Sequence, residues 1–155
     1  MRPNVFLTLL SGVALASCTE PVSTPLPERG PLRPQAAPAA SPRGRLTVIA
    51  LEAFFARHQA GSVLVYDVRP SFVSAFGRIP GALPWPKGDF EKQWAQRKAE
   101  IREAEAAGKV VVLYCTDAAC PDARAVAERL TERAHDVSIL EGGYAAWKDA
   151  GMATE

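Results

Sequence analysis

An α/β domain is predicted for residues 46 to 155 on three observations. Helix-spaced and strand-like apolar segments alternate over these 110 residues without an internal repeat. The most apolar of them, KVVVLY at 109–114, is expected to be a strand at the centre of a sheet. The chain has 155 residues, 48% apolar and 23% charged, the composition of a soluble protein with one core.

The elements follow in order. Leu51, Phe54 and Phe55 space a helical face that ends near Gly61, and SVLVYDV at 62–68 is a β-branched run suited to a buried strand, stopped by Arg69 and Pro70. SFVSAFG is expected to form a short helix, and IPGALPW to turn through Pro and Gly into a brief strand. Asp89 is placed to cap a surface helix over 90–107, whose apolar face carries Phe90, Trp94, Ile101 and Ala104 and which stops at Gly108. After KVVVLY, a helix beginning near Pro121 sets Ala123, Val126, Ala127 and Leu130 on one stripe. VSIL at 137–140 is the last strand. Gly142 and Gly143 then turn the chain into a terminal helix with Tyr144 and Trp147, closed by Gly151. Trp85, Trp94 and Trp147 are expected as core or pocket walls, and His58 and His135 as solvent-facing side chains.

The first 45 residues have a different character. Arg2 followed by VFLTLLSGVALA, apolar but too short to span a bilayer as a helix, reads as a secretion signal over 1–17. LASC at 15–18 resembles the lipobox of bacterial lipoproteins, which makes Cys18 the expected lipidation site and the periplasmic side of a bacterial membrane the expected location; an ordinary cleavage near Ala16 would leave the protein soluble in the periplasm or secreted. Residues 19–45 hold seven prolines in 27 positions without apolar periodicity, a tether. Without Arg2 the chain balances 17 basic against 17 acidic residues, which argues against a nucleic-acid partner.

The chemistry is expected in YCTDAACPDAR at 114–124. Ligands of open parallel sheets bind beyond the carboxyl ends of the strands, where Cys115 falls. A short loop closing onto a helix N-terminus turns successive N–H groups inward, an anion cradle that favours thiolate over thiol. Cys120, five residues on, has three candidate roles: a thiol that resolves a persulfide or sulfenate on Cys115, a permanent disulfide partner, or a helix cap. A C-x4-C pair with only His58 and His135 elsewhere lacks the paired ligands of a structural zinc site, so no metal is expected.

DVR at 67–69, GRIPGA at 77–82, the YC pair at 114–115 and LEGGYAAWKDAG at 140–151 are four ordered motifs that resemble the rhodanese-like domain family, over essentially all of 46–155. The resemblance implies a three-layer α/β domain with a central, mainly parallel sheet flanked by helices. It also implies a sulfurtransferase or sulfane-sulfur carrier: Cys115 takes sulfur from a donor, holds it as a persulfide on the backbone of Thr116, Asp117, Ala118, Ala119 and Cys120, and passes it to a thiophilic acceptor without a cofactor. Arg69 and Arg78, in motifs after the second strand, are candidates for attracting an anionic substrate; the alternative is a carboxylate partner for Arg69 and a surface position for Arg78.

The loop departs from the family pattern in carrying no arginine or mid-loop glycine. Asp117 and Asp122 disfavour a dianionic donor such as thiosulfate. Related phosphatases place an arginine where Pro121 stands, so the clamp for developing phosphoryl charge is missing. A noncatalytic rhodanese-like binding module and a dithiol redox protein using Cys115 and Cys120 stand as alternatives.

Overall fold

In a computed structural model of the chain, the described residues are 42–155. The expected secretion signal, Cys18 and most of the tether lie outside them. Among the described residues five strands form one sheet: β1 (Leu46–Ile49), β2 (Val63–Asp67), β3 (Leu83–Pro84), β4 (Val110–Tyr114) and β5 (Val137–Leu140). Their order is β1-β5-β4-β2-β3 and every pairing is parallel, which puts β4 at the centre.

Among the described residues the helices are α1 (Leu51–Gln59), α2 (Ser71–Ser74), α3 (Phe90–Ala106), α4 (Asp122–Glu132) and α5 (Gly143–Asp149). The two-residue period of the strands divides the core between two faces. Tyr66, Val111, Leu113 and Cys115 pack with Phe90 and Ile101 of α3 and Val126 and Leu130 of α4. Val65, Val112 and Tyr114 pack on the other side with Phe54 of α1 and Trp147 of α5. Helices thus cover both faces, the three-layer arrangement.

Three sequence expectations are corrected and one strand was not foreseen. β1, at the start of the expected domain, is a short edge strand with Thr47 and Val48 exposed, so it has no buried run to read. The tether's last residues belong to the domain, since Gly44 donates its N–H to Thr131 at 2.8 Å and Arg45 pairs with Asp136 at 3.0 Å. Asp89 makes no side-chain cap; a 3-10 turn at Lys87–Asp89 leads straight into α3. The histidines are not solvent-facing. His135 is buried and meets Glu105 at 2.9 Å, and His58 meets the Pro80 carbonyl at 2.8 Å.

The charged helix α3 also buries a cation. Arg97 donates to the Pro84 carbonyl at 2.8 Å, to Gln93 at 2.7 Å and to Glu100 at 2.9 Å, while Tyr66 donates its hydroxyl to Glu100 at 2.8 Å. Partial burial works against the Glu100 charge, but the bonds from Arg97, Tyr66 and Gln96 outweigh it and hold the carboxyl below its ordinary range.

Candidate functional site

The alternation along β4 carries one residue past the strand and sets Cys115 toward the α4 side of the sheet, 2% exposed. The chain then loops outward through exposed Thr116, Asp117, Ala118 and Ala119 and returns at half-buried Cys120, just before α4. A disulfide joins Cys115 and Cys120, whose Cα atoms are 6.1 Å apart. Of the candidate roles for Cys120, capping α4 is not adopted, as its sulfur is bound to Cys115 and α4 has no side-chain cap.

Asp117 shapes the loop. Its Oδ1 accepts the N–H of Ala119 at 2.9 Å and that of Cys120 at 3.1 Å. The cradle expected over residues 116–120 is therefore partly filled from within: two of its donors face a carboxylate of the loop itself.

A second helix start holds the loop from behind. The N–H of Tyr144 donates to the Cys115 carbonyl and that of Ala145 to the Thr116 carbonyl, both at 2.8 Å. This approach needs the glycine pair. Gly142 and Gly143 have φ of 69° and 59°, and a Cβ on Gly143 would stand 2.5 Å from the Cys115 oxygen. The sequence marked these glycines as a turn and as part of a family motif; the close contact of Gly143 with the cysteine loop depends on the tertiary fold.

Arg69 is held by Asp67 and, with Thr116 of the loop, also lines an opening beside it. Buried with Asp67, it donates to that carboxylate from Nε at 2.9 Å and Nη2 at 2.5 Å, and from Nη2 to the Gly77 carbonyl at 2.8 Å. Its guanidinium lies 4.0 Å from the Tyr144 ring centre. Burial opposes the Arg69 charge, but Asp67 outweighs it and holds the proton more firmly than usual. Tyr114 donates to Asp67 at 2.7 Å and accepts from the Ile79 N–H at 3.2 Å; burial, then the Asp67 charge, push its phenol far above the ordinary range. Arg78 pairs with Glu155 at 2.8 Å, half-exposed. The DVR motif thus supplies a buried ion pair, and both arginines have carboxylate partners.

The cysteine loop separates two openings. One, about 190 Å³, is lined by both cysteines, Asp117, Arg124 and Glu141. The other, about 420 Å³, runs from Thr116 along Tyr144 and Lys148 to Phe72 and Phe76, which are 73% and 90% exposed. Sequence reasoning missed Lys87, which reaches from the 3-10 turn to pair with Asp122, itself within 4.8 Å of both sulfurs. No local signal links positions 87 and 122.

A parallel α/β domain whose central strand ends in a cysteine loop backed by a glycine-led helix is the class these elements define. Residues 51–150 match the family described as the Rhodanese-like domain, and the chain belongs to that family.

An HTH-type transcriptional regulator of Mycobacterium tuberculosis is 32% identical over 102 residues, 64% of this chain and 40% of the regulator. The chain thus spans about two fifths of that curated relative. Among solved structures, a rhodanese-related protein from Thermoplasma volcanium aligns with a TM-score of 0.57 and 22% identity over 70% of this chain and 97% of its own. A Saccharomyces cerevisiae protein, described as a homolog of single-domain rhodanese and the Cdc25 phosphatase catalytic domain, aligns with a TM-score of 0.57 and 18% identity over 67% and 80%. At these identities the structural likeness shows the fold.

Proposed function

We propose that this protein is a sulfane-sulfur carrier of the sulfurtransferase kind, with Cys115 as the nucleophile. The Cys115 thiolate attacks the outer sulfur of a donor R–S–SH, the donor leaves as R–S⁻, and Cys115 holds the persulfide until a thiophilic acceptor takes the outer sulfur. The observation that carries this reading is the seat of Cys115: the carboxyl end of the central strand, in the loop that opens α4, within a rhodanese-like domain. The test is mass spectrometry of the reduced chain carrying Cys120→Ser, in which a persulfide on Cys115 has no neighbouring thiol to discharge it, after exposure to sulfane-sulfur donors. One added sulfur on Cys115, absent in Cys115→Ser and released to cyanide or a thiol, is expected. A folded, reduced chain that no donor loads would leave the binding-module reading in its place.

A second reading, a dithiol redox protein, is favoured by the Cys115–Cys120 disulfide. Reversible closure of that bond across a redox titration, followed by non-reducing peptide mapping, tests it.

We also propose that acyl chains on Cys18 hold the domain at the periplasmic side of a bacterial membrane; LASC and the proline-rich stretch after it support this. Intact mass from the native host is expected to show a lipidated Cys18 at the mature N-terminus, and an unmodified start at Ser17 would sink the claim.

A further inference from the structure

We infer that the loop discharges its own persulfide, releasing the carried sulfur as hydrogen sulfide. The inference rests on the carrier reading of Cys115 and deepens it by identifying the first acceptor as Cys120. Two independent features carry it. The sulfur of Cys120 reaches that of Cys115 to form a disulfide, so the same approach delivers a Cys120 thiolate to the inner sulfur of a Cys115 persulfide. The Asp117 carboxylate already takes the N–H groups of Ala119 and Cys120, which withdraws two donors from a persulfide's terminal sulfur and ties the loop into the turn that brings Cys120 back.

The step balances. Cys120 gives its proton to solvent and its thiolate attacks Sγ of Cys115; the bond between Sγ and the outer sulfur breaks, and that sulfur leaves with the electron pair as HS⁻. The products are the Cys115–Cys120 disulfide and one hydrogen sulfide. Two electrons have passed from the protein thiols to the sulfane sulfur. An external dithiol, the required co-reactant, returns them. Its thiolate attacks Cys120, the more accessible sulfur, and expels Cys115 as thiolate at the end of β4. Over a cycle, a persulfide and a dithiol become a thiol, hydrogen sulfide and a cyclic disulfide. Asp117 acts through Cys120 and is a positioning residue.

The experiment uses the full chain with Cys18→Ser, so that only the loop thiols react, reduced and freed of reductant. One equivalent of cysteine persulfide is added, and sulfide, persulfide and disulfide are followed together. One sulfide per Cys115–Cys120 disulfide is expected. In Cys120→Ser the Cys115 persulfide should form and persist at least about tenfold longer, because the intramolecular attack is gone. Asp117→Ala should slow sulfide release by about fivefold, and Asp117→Asn, whose side-chain oxygen accepts the same two bonds, should restore it. A natural loop that keeps its persulfide while Cys120 stays alkylatable, or that releases sulfide without forming the disulfide, overturns the inference and leaves the carrier reading intact. Failure of Cys120→Ser and of the natural loop to load any sulfur overturns both.

Discussion

Asp117 and Cys120 are bound to each other through the backbone of their own loop: Oδ1 of Asp117 accepts the Cys120 N–H at 3.1 Å, and the Ala119 N–H at 2.9 Å completes the pair. In the loop expected to form an anion cradle, two N–H groups are taken by a carboxylate of the chain itself. This sets the charge a donor meets. It also sets which loop shape is the low-energy one.

Removing that carboxylate should favour charged donors. Asp117→Gly frees two N–H groups and deletes a negative charge beside the entry of thiosulfate, so loading of Cys115 from thiosulfate is expected to quicken by about tenfold, with a smaller change for an uncharged persulfide donor. The ratio of the two loading rates, followed by mass spectrometry in a Cys120→Ser background that retains the persulfide, is the measurement. Equal effects on both donors would mean that loop flexibility, and not charge, governs entry.

Gly143 offers a test of the support behind the loop. Alanine there has a φ of 59° to adopt and a Cβ 2.5 Å from the Cys115 carbonyl and 3.1 Å from the Asp117 nitrogen, all backbone contacts that cannot swing aside. Gly143→Ala is expected to cost about 1–3 kcal/mol in urea unfolding and to lower the loading rate of Cys115. Gly151→Ala, also at positive φ but with open space around it, should lose stability while loading normally. Equal loading by the two variants would show that contact with the loop is not what Gly143 provides.

The Asp67–Arg69 pair separates a structural arginine from a substrate-binding one. Both side chains are buried, 0% and 2% exposed, and Arg69→Ala would leave the carboxylate with only the Tyr114 hydroxyl and the Arg69 backbone N–H. A loss of about 3–5 kcal/mol in denaturant unfolding is expected. Asp67→Asn should destabilise comparably, because Arg69 then loses its charge partner. A stable Arg69→Ala whose only defect is a raised KM for anionic donors would instead favour the substrate-binding role.

The legibility of this protein in its sequence followed burial. The β4 run and the α4 stripe were readable because each is apolar on the period its geometry requires, and so was the position of Cys115 between them. β1 was not, because an edge strand with two exposed residues has no such signature. Arg97 was missed for the opposite reason: its charge reads as surface, and only the carbonyl of Pro84, delivered by β3, shows why it is buried. At the site, the residue types in the loop were legible, whereas the partnerships of Asp117 with its own amides, Lys87 with Asp122 and Gly143 with Cys115 depend on where backbone atoms and distant segments meet.

The Glu100 network is expected to give the domain a stability step in acid. The native carboxyl of Glu100 is held below its ordinary value of 4.5, net of a burial effect that opposes the bonds from Arg97, Tyr66 and Gln96. The unfolded chain therefore takes up a proton at higher pH than the native chain does, and the stabilisation is present above the unfolded value and is lost as pH falls through the native one. Urea midpoints should accordingly drop between about pH 5 and pH 3. Glu100→Gln is expected to be less stable at pH 7 and to show a shallower fall across that window, since the titrating group is gone. Tyr66→Phe removes the 2.8 Å hydrogen bond without touching the charge, so it should lower stability at pH 7 by about 1 kcal/mol and weaken the acid step without abolishing it. An acid profile for Glu100→Gln that parallels the unmodified protein would assign the step to other carboxylates, of which Asp136, beside Arg45 at the start of β1, is the first to substitute.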